Sequence, residues 1–283
     1  MKLTSIGMVS SNGTEVATFS FRDPGSLNPY IARAILGLDA EEIVPRFYGM
    51  SFSQGKKYYS LSLPPRDIVL QILLNPNFTM EKSHSELRDE LYRAISSSRT
   101  GIVTLKFYNE DVEVAQVSGF VTKFANQLFE QQPQVDITLN CEDPMLRSPV
   151  AIDIPAAVEA PGNAPPITDD LSTAPHGFAF RLHFTADTTQ FYIQDTAAEW
   201  RFTVVPGVIN GQTGFKSGDE LVFSSDHTGR VLTHIRGPVQ TPIVDKIQPG
   251  SVWPILFHGL NQFENTPEVS WFYIRHYPAY WGV

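Results

Sequence analysis

Apolar residues in this chain come in short runs that alternate every second position, and each run is cut off by turn residues within about ten positions. "QVDITLNC" puts Val135, Ile137, Leu139 and Cys141 on one side and Asp136, Thr138 and Asn140 on the other. "GFAFRLHF" does the same with Phe178, Phe180, Leu182 and Phe184. A period of two belongs to a half-buried strand, because successive side chains of a strand point to opposite faces. The 21 prolines and 19 glycines lie between such runs along the whole chain, which makes them turn punctuation and not a disordered tail. This pattern restricts the fold to a mainly β architecture of many short antiparallel strands.

More strands follow from the same reading. "EVATFSF" ends at the turn signal "RDPG", and "PYIARAILGL" (29–38) fits a helix or a strand, its shortness and flanking proline and glycine favouring strand. "IVTLKFY" and "VEVAQVSGFVTKF" flank the loop "NED", a hairpin signature. "FYIQ", "EWRFTVV", "DELVFSS", "GRVLTHIRG" and "VSWFYIRHY" extend the series in the second half, between turns such as "NGQTG", "KSGD" and "DHTG".

One stretch breaks the alternation. "LPPRDIVLQILLNP" carries Ile68, Leu70, Ile72 and Leu74 on one face and Val69 and Leu73 on the other, with Gln71 as the polar exception. A strand that is apolar on both faces is covered on both. Just after it, "SHSELRDELYRAISSS" reads as an amphipathic helix over 83–96. Ser83 and Glu86 form a capping box, and Leu87, Leu91, Ala94 and Ile95 make one apolar stripe. Asp89 and Arg93 are spaced as an i,i+4 ion pair. The arrangement predicts that this helix lies on the Val69/Leu73 face, with the opposite face in the core.

Composition shifts over Ala156–Gly177, a Pro/Gly/Ala-rich stretch without a period. It marks a junction over 151–177 between an N-terminal domain, 1–150, and a C-terminal sandwich or jelly roll, 178–283. The formal net charge is −9 and no Lys/Arg cluster exists, which excludes a basic stripe for nucleic-acid phosphates. Cys141 is the single cysteine, so neither an internal disulfide nor a cysteine zinc site is available; it reads as a buried strand thiol. No apolar run approaches the roughly 18–20 residues of a membrane helix, and the N-terminus lacks a leader-type apolar core. The protein is therefore expected to be soluble, not inserted in a membrane and not exported by an ordinary leader. On that view the sequons at Asn12 and Asn77 are chance matches.

Catalytic signatures are sparse. "GQTGFKSG" lacks the glycine spacing of a phosphate loop and reads as a turn between strands. There is no G-x-S-x-G elbow. His176, His183, His227, His234, His258 and His276 have no metal-motif spacing, and they read as histidines on exposed strand faces. Asp169–Asp170, Asp219–Glu220 and Glu142–Asp143 are carboxylate pairs that would suit glycoside hydrolysis, but turns are where solvated acids collect. Trp253, Trp271, Tyr277, Tyr280 and Trp281 could stack on a sugar or fill a sandwich core. No cofactor, metal or catalytic residue is expected. A binding module contacting a host-surface glycan and a β-sandwich glycoside hydrolase remain as alternatives to a structural scaffold.

Three stretches taken together carry a resemblance. "PPRDIVLQILLNP" is followed by the capped "SELRDELYRAI". "VSGFVTKFANQLFEQQPQVDITLNCEDPMLRSP" closes the first half. "PGSVWPILFHGLNQFE" and the terminal "FYIRHYPAYWGV" close the second. Their order and spacing resemble the distal tail proteins of long, non-contractile-tailed bacteriophages, over most of the chain. The resemblance implies an N-terminal tail-tube-like β-sandwich with one α-helix and a C-terminal galectin-like antiparallel β-sandwich. It implies a homo-hexameric ring with the tail tube protein on one face and the tail-tip hub, or a tail-associated lysin-like protein, on the other. Receptor-binding or side-fibre proteins could attach, and DNA would pass through the lumen without sequence-specific binding. The location implied is the distal tail tip of the virion, and the host cytoplasm during assembly. Candidate inter-protomer residues are Asn109, Glu110 and Asp111 of the hairpin and Gln134, Asp136, Thr138 and Asn140 of the following strand, through continuation of a neighbour's sheet. Trp253, Tyr277, Tyr280 and Trp281 are the candidate glycan-facing aromatics.

Overall fold

The computed structural model describes residues 3–10, 13–21, 28–39, 44–49, 56–62, 64–75, 82–96, 101–127, 133–155, 161–195, 197, 200–226 and 229–282. The two sequons, at Asn12 and Asn77, and His227 lie outside them. The chain is mainly β and divides into two compact units, Met1–Pro149 with Tyr280–Val283, and Val150–Ala279.

The first unit begins with strands β1 (Ser5–Ser10), β2 (Glu15–Phe21) and β3 (Tyr30–Leu36). A separate hairpin follows, β4 (Val44–Gly49) with β5 (Lys56–Ser62). Then come β6 (Arg66–Leu74), helix α1 (His84–Ser96), β7 (Val103–Asn109), β8 (Val112–Gln127), β9 (Gln134–Cys141) and the short β10 (Leu146–Arg147). The main sheet runs β10-β8-β7-β1-β2-β3-β6-β9, and β8 also pairs with β9. The long β8 thus joins the two layers of the expected sandwich. Its first half, through Gly119, pairs with β7, and from Phe120 onward it pairs with β9. Only β2 and β3 pair in parallel among these strands.

The inner face is the alternating set read from the sequence. Ile68, Leu70 and Ile72 of β6 and Val135, Ile137, Leu139 and Cys141 of β9 are buried, together with Ile6, Met8, Phe19, Leu105 and Phe107. Burial pushes the Cys141 thiol up to about 12, so it is an inert core residue as expected.

Helix α1 forms as the sequence predicts but docks differently. Leu87, Leu91 and Ile95 are buried in the same cluster as Ile68, Leu70 and Ile72, so the helix covers core that opens from the inner face. Val69 and Leu73 stay partly exposed on the outer face of β6 and take no part in that cluster. Tyr30 Oη donates to Leu87 O at 3.1 Å, and Tyr92 packs edge-on to Phe124 at 5.2 Å. The expected Asp89–Arg93 pair is replaced by Arg88, whose Nη2 lies 2.6 Å from Asp89 Oδ1. The capping box is present: Ser83 N donates to Glu86 Oε2 at 2.7 Å, and Glu86 N to Ser83 Oγ at 3.4 Å. Ser83→Ala should cost about 1 kcal/mol of helix stability. Hydrogen exchange over 84–96 is the readout, and unchanged protection there would show that the cap carries no energy.

The second unit contains β11 (Ile152–Pro155), β12 (Ile167–Asp169), β13 (Phe178–Phe184), β14 (Phe191–Asp195) and β15 (Trp200–Val204). It continues with β16 (Val208–Ile209), β17 (Gln212–Thr213), β18 (Glu220–Ser224), β19 (Val231–Arg236) and β20 (Val239–Pro242). The last strands are β21 (Gly259–Asn261), β22 (Glu264–Asn265) and β23 (Val269–His276). β24 (Ala279–Tyr280) ends the series and forms the outermost strand of the first unit's sheet, beside β10. Six strands form one antiparallel sheet, β11-β23-β13-β18-β19-β20, and β15-β14-β22 and β12-β21 form smaller ones. The core is aromatic: Phe180 stacks on Phe223 at 4.5 Å and meets Trp271 edge-on at 5.0 Å. "GQTGFKSG" is a turn, as read, with Phe215 buried in this core. The expected junction is corrected in its described part. Ala164 and Ile167 are buried in the second unit's core and 167–169 is a strand, so this segment is part of the sandwich and not a linker. Its lack of period reflects one strand of three residues and isolated bridges at Asn163 and His176, too brief to show one.

Candidate functional site

On the first unit the β7–β8 hairpin borders a groove of about 360 Å³. Gly7, Glu15, Lys106, Tyr108, Glu110 and Asp111 line it. Gly7 leaves room for the Tyr108 ring, which lies 3.3 Å from where a Cβ would stand. Lys106 is held by Glu113 at 2.9 Å, so the remaining charges in the groove, Glu15, Glu110 and Asp111, are acidic. Asn109, Glu110 and Asp111 are exposed, as an interaction tip requires. Glu110 has φ +57, the left-handed conformation that lets the hairpin reverse in so few residues.

The other candidate contact strand is placed differently. β9 is hydrogen-bonded on both sides, to β6 and β8, so it has no open edge with which to extend a neighbour's sheet. Its polar residues make a ladder instead. Arg33 Nη1 donates to Gln134 Oε1 at 3.0 Å, Gln134 Nε2 to Asp136 Oδ1 at 2.7 Å, and Asn140 Nδ2 to Asp67 Oδ1 at 2.8 Å. Gln134 itself is buried, whereas Asp136, Thr138 and Asn140 are partly exposed and could meet a partner only through their side chains.

The aromatic candidates do not form a platform. Trp253 packs on Phe202 and Phe223 at 5.3 and 5.4 Å, and Arg230 lies over its ring at 5.3 Å. Trp271 is buried in the second unit, Tyr280 packs against the first unit's core, and Trp281 O accepts from Arg66 Nη2 at 2.6 Å. Tyr277 is partly exposed.

The carboxylate candidates are bound into structure. Asp219 is buried at the start of β18, and Arg236 grips both its oxygens, at 2.8 and 2.6 Å. His234 Nε2 and the Lys216 N–H each donate to Oδ2 at 2.8 Å. Burial acts to raise its pKa, but Arg236, His234 and the Lys216 amide outweigh burial and hold it at about 2. Glu220 pairs with Arg181 at 2.5 Å and Asp143 with Arg147 at 2.7 Å. Asp219, Glu220 and Asp143 are thus each tied to an arginine, while Glu142 and Asp170 are exposed.

The histidines correct the exposed-face reading. His176, His234 and His276 are buried. His176 and His276 come together with Asp169 from positions a hundred residues apart in the sequence. His176 Nε2 lies 3.1 Å from His276 Nδ1 and 3.7 Å from Asp169 Oδ2. Asp169 Oδ1 accepts the Ser172 N–H at 3.1 Å, while Oδ2 meets no donor among the described residues. Burial lowers the His276 pKa against the opposing pull of Asp169. One signal for this cluster is legible in the chain, the scatter of histidines through the second half. The pairing itself depends on β12 and β23, which lie far apart along the chain.

The architecture has a counterpart among solved structures. The crystal structure of the SPP1 Dit protein (gp 19.1), described as a paradigm of the hub adsorption apparatus in phages infecting Gram-positive bacteria, superposes with TM-score 0.59. The match covers 97% of this chain and 98% of that one, at 14% identity. This chain has the Dit hub-protein fold. The activated, calcium-bound baseplate of phage P2 also aligns over 98% of each chain, at 10% identity and TM-score 0.42. A β-fructofuranosidase from Schwanniomyces occidentalis aligns at TM-score 0.23 and 8% identity over 94% of this chain and 62% of that one. No family model and no curated protein sequence matches. A shared fold at 14% identity is compatible with requirements of burial and strand pairing, since many sequences satisfy those.

Proposed function

We propose that this chain is a structural tail-tip protein that closes a homo-hexameric ring at the distal end of a phage tail. The observation that carries the reading is the end-to-end correspondence with the Dit hub protein, which spans both units in the same chain order. In this reading the first unit builds the ring and joins the tail tube to the tip hub or a lysin-like protein. The second unit offers an outer surface for receptor-binding or side-fibre proteins, and DNA passes through the lumen. Contacts between protomers use the exposed Asn109–Asp111 tip and the side chains of Asp136, Thr138 and Asn140, because β9 has no edge to share. Six chains at −9 would carry about −54, a field that repels DNA phosphate and favours passage over capture. The packing of the partly buried Trp253 against core rings and the ion pairing of Asp219 and Glu220 weigh against the glycan-binding and hydrolase alternatives.

Light scattering and negative-stain microscopy of the purified chain, alone and mixed with tail-tube protein, test the ring. The expected particle has six times the 31.6 kDa chain mass and an open centre. Glu110→Lys with Asp111→Lys should shift it towards smaller species. A particle that stays monomeric at every concentration, with and without the tube protein, overturns the proposal.

A further inference from the structure

We propose that Asp169, His176 and His276 form a buried metal site of the zinc class that clips the start of the second unit to its last long strand. The inference is independent of the tail-tip role, because it rests on three side chains within one unit.

The geometry suits a single ion. Ligand atoms held at 2.0–2.2 Å around a tetrahedral zinc stand about 3.2–3.6 Å apart. His176 Nε2 is 3.1 Å from His276 Nδ1 and 3.7 Å from Asp169 Oδ2, and all three atoms fall within 4.8 Å of one another. The three residues are 1%, 3% and 0% exposed, in the order Asp169, His176, His276. The outer contacts have the orientation that ligands need. Ser172 N–H fixes Asp169 Oδ1 and leaves Oδ2 turned to the imidazoles. Ala174 O lies 3.3 Å from His176 Nδ1 and can accept an N–H from it, the tautomer that leaves the Nε2 lone pair for a metal.

Electrostatics supplies the stronger argument. A buried carboxylate oxygen that meets no donor among the described residues faces imidazole nitrogen at van der Waals distance. A hydrogen bond between two neutral imidazoles satisfies the 3.1 Å contact but leaves Asp169 Oδ2 without a donor among the described residues, whereas a divalent ion would serve all three atoms. Two imidazoles with one carboxylate form a donor set for Zn²⁺, Co²⁺ or Ni²⁺; calcium and magnesium prefer all-oxygen shells. Three protein ligands leave the fourth tetrahedral position to a solvent oxygen. Bound metal would add a link from β12 and the 170–177 segment to the end of β23, beyond the β12–β21 pair and the backbone bonds of Thr173, Ala174 and His176 to Ala279 and Leu256.

The test uses the full chain stripped with chelator and dialysed. Titration with Zn²⁺ should show one ion per chain and a thermal midpoint that rises with free metal. Co²⁺ should give the intense visible bands of a tetrahedral site. His276→Gln and Asp169→Asn, near-isosteric changes checked for folding by circular dichroism, should weaken binding by at least about tenfold and abolish the midpoint shift. If the apo chain binds no Zn²⁺ and its midpoint is indifferent to it, the His176–His276 contact is a plain hydrogen bond and the proposal fails. It fails equally if both folded variants bind Zn²⁺ as tightly as the parent chain, since the ion then sits on surface histidines.

Discussion

Asp219→Ala should destabilise the second unit by about 3–5 kcal/mol, because it strips the counter-charge from Arg236 and the hydrogen-bond acceptor from His234. Arg236 then keeps contacts with only Ile209 O and Gly214 O, and the Lys216 amide loses its acceptor. Asp219→Asn should cost less, since it keeps the shape and can still accept from Lys216. Denaturation with segment-resolved hydrogen exchange reads both variants; a loss below about 0.5 kcal/mol for alanine, the size of an ordinary surface change, would show the cluster to be energetically idle. The same carboxylate sets a pH dependence. Its pKa falls from 3.8 to about 2 on folding, so the native state binds fewer protons than the unfolded chain in that range. Its contribution is complete above pH 4 and is lost as the pH falls towards 2. The acid limb of the parent's stability curve should therefore be shallower in Asp219→Ala.

Gly119→Val should destabilise the first unit by about 3 kcal/mol and leave exchange in the second unit unchanged. Gly119 is where β8 stops pairing with β7 and starts pairing with β9. A Cβ there would stand 2.6 Å from Asn140 O and 2.8 Å from Cys141 Sγ, both on β9, and a backbone carbonyl cannot move aside without breaking the ladder. The lost protection should concentrate in 112–127 and 134–141. Protection lost evenly along the chain would mean that the crossing strand does not hold the layers together. If the ring proposal holds, this variant should also fail to form rings, whereas Asp219→Ala should form them.

Residues in regular strands were legible because burial and period coincide there. Phe178, Phe180, Leu182 and Phe184 all fall inside, and Val135, Ile137, Leu139 and Cys141 do the same. The capping box at Ser83 and Glu86 was readable for a similar reason, since all its atoms lie within one helical turn. The helix's docking face was not readable. Val69 and Leu73 made a second apolar face on β6, but two residues do not say which of several faces a helix will meet, and the inner core had more apolar area to cover. The segment 161–177 hid its strands in runs too short for a period.

The buried polar clusters divide the two sources of information most sharply. The chain by itself determined the class of fold, the strand faces and the presence of α1, because alternation and capping are local and act between neighbours in sequence. Tertiary structure alone decided that β8 crosses between layers, that β9 has no free edge, and that Asp169, His176 and His276 converge. Those outcomes depend on which distant strands pair. Many pairings satisfy the same local pattern, and only the packing of the whole sheet selects among them.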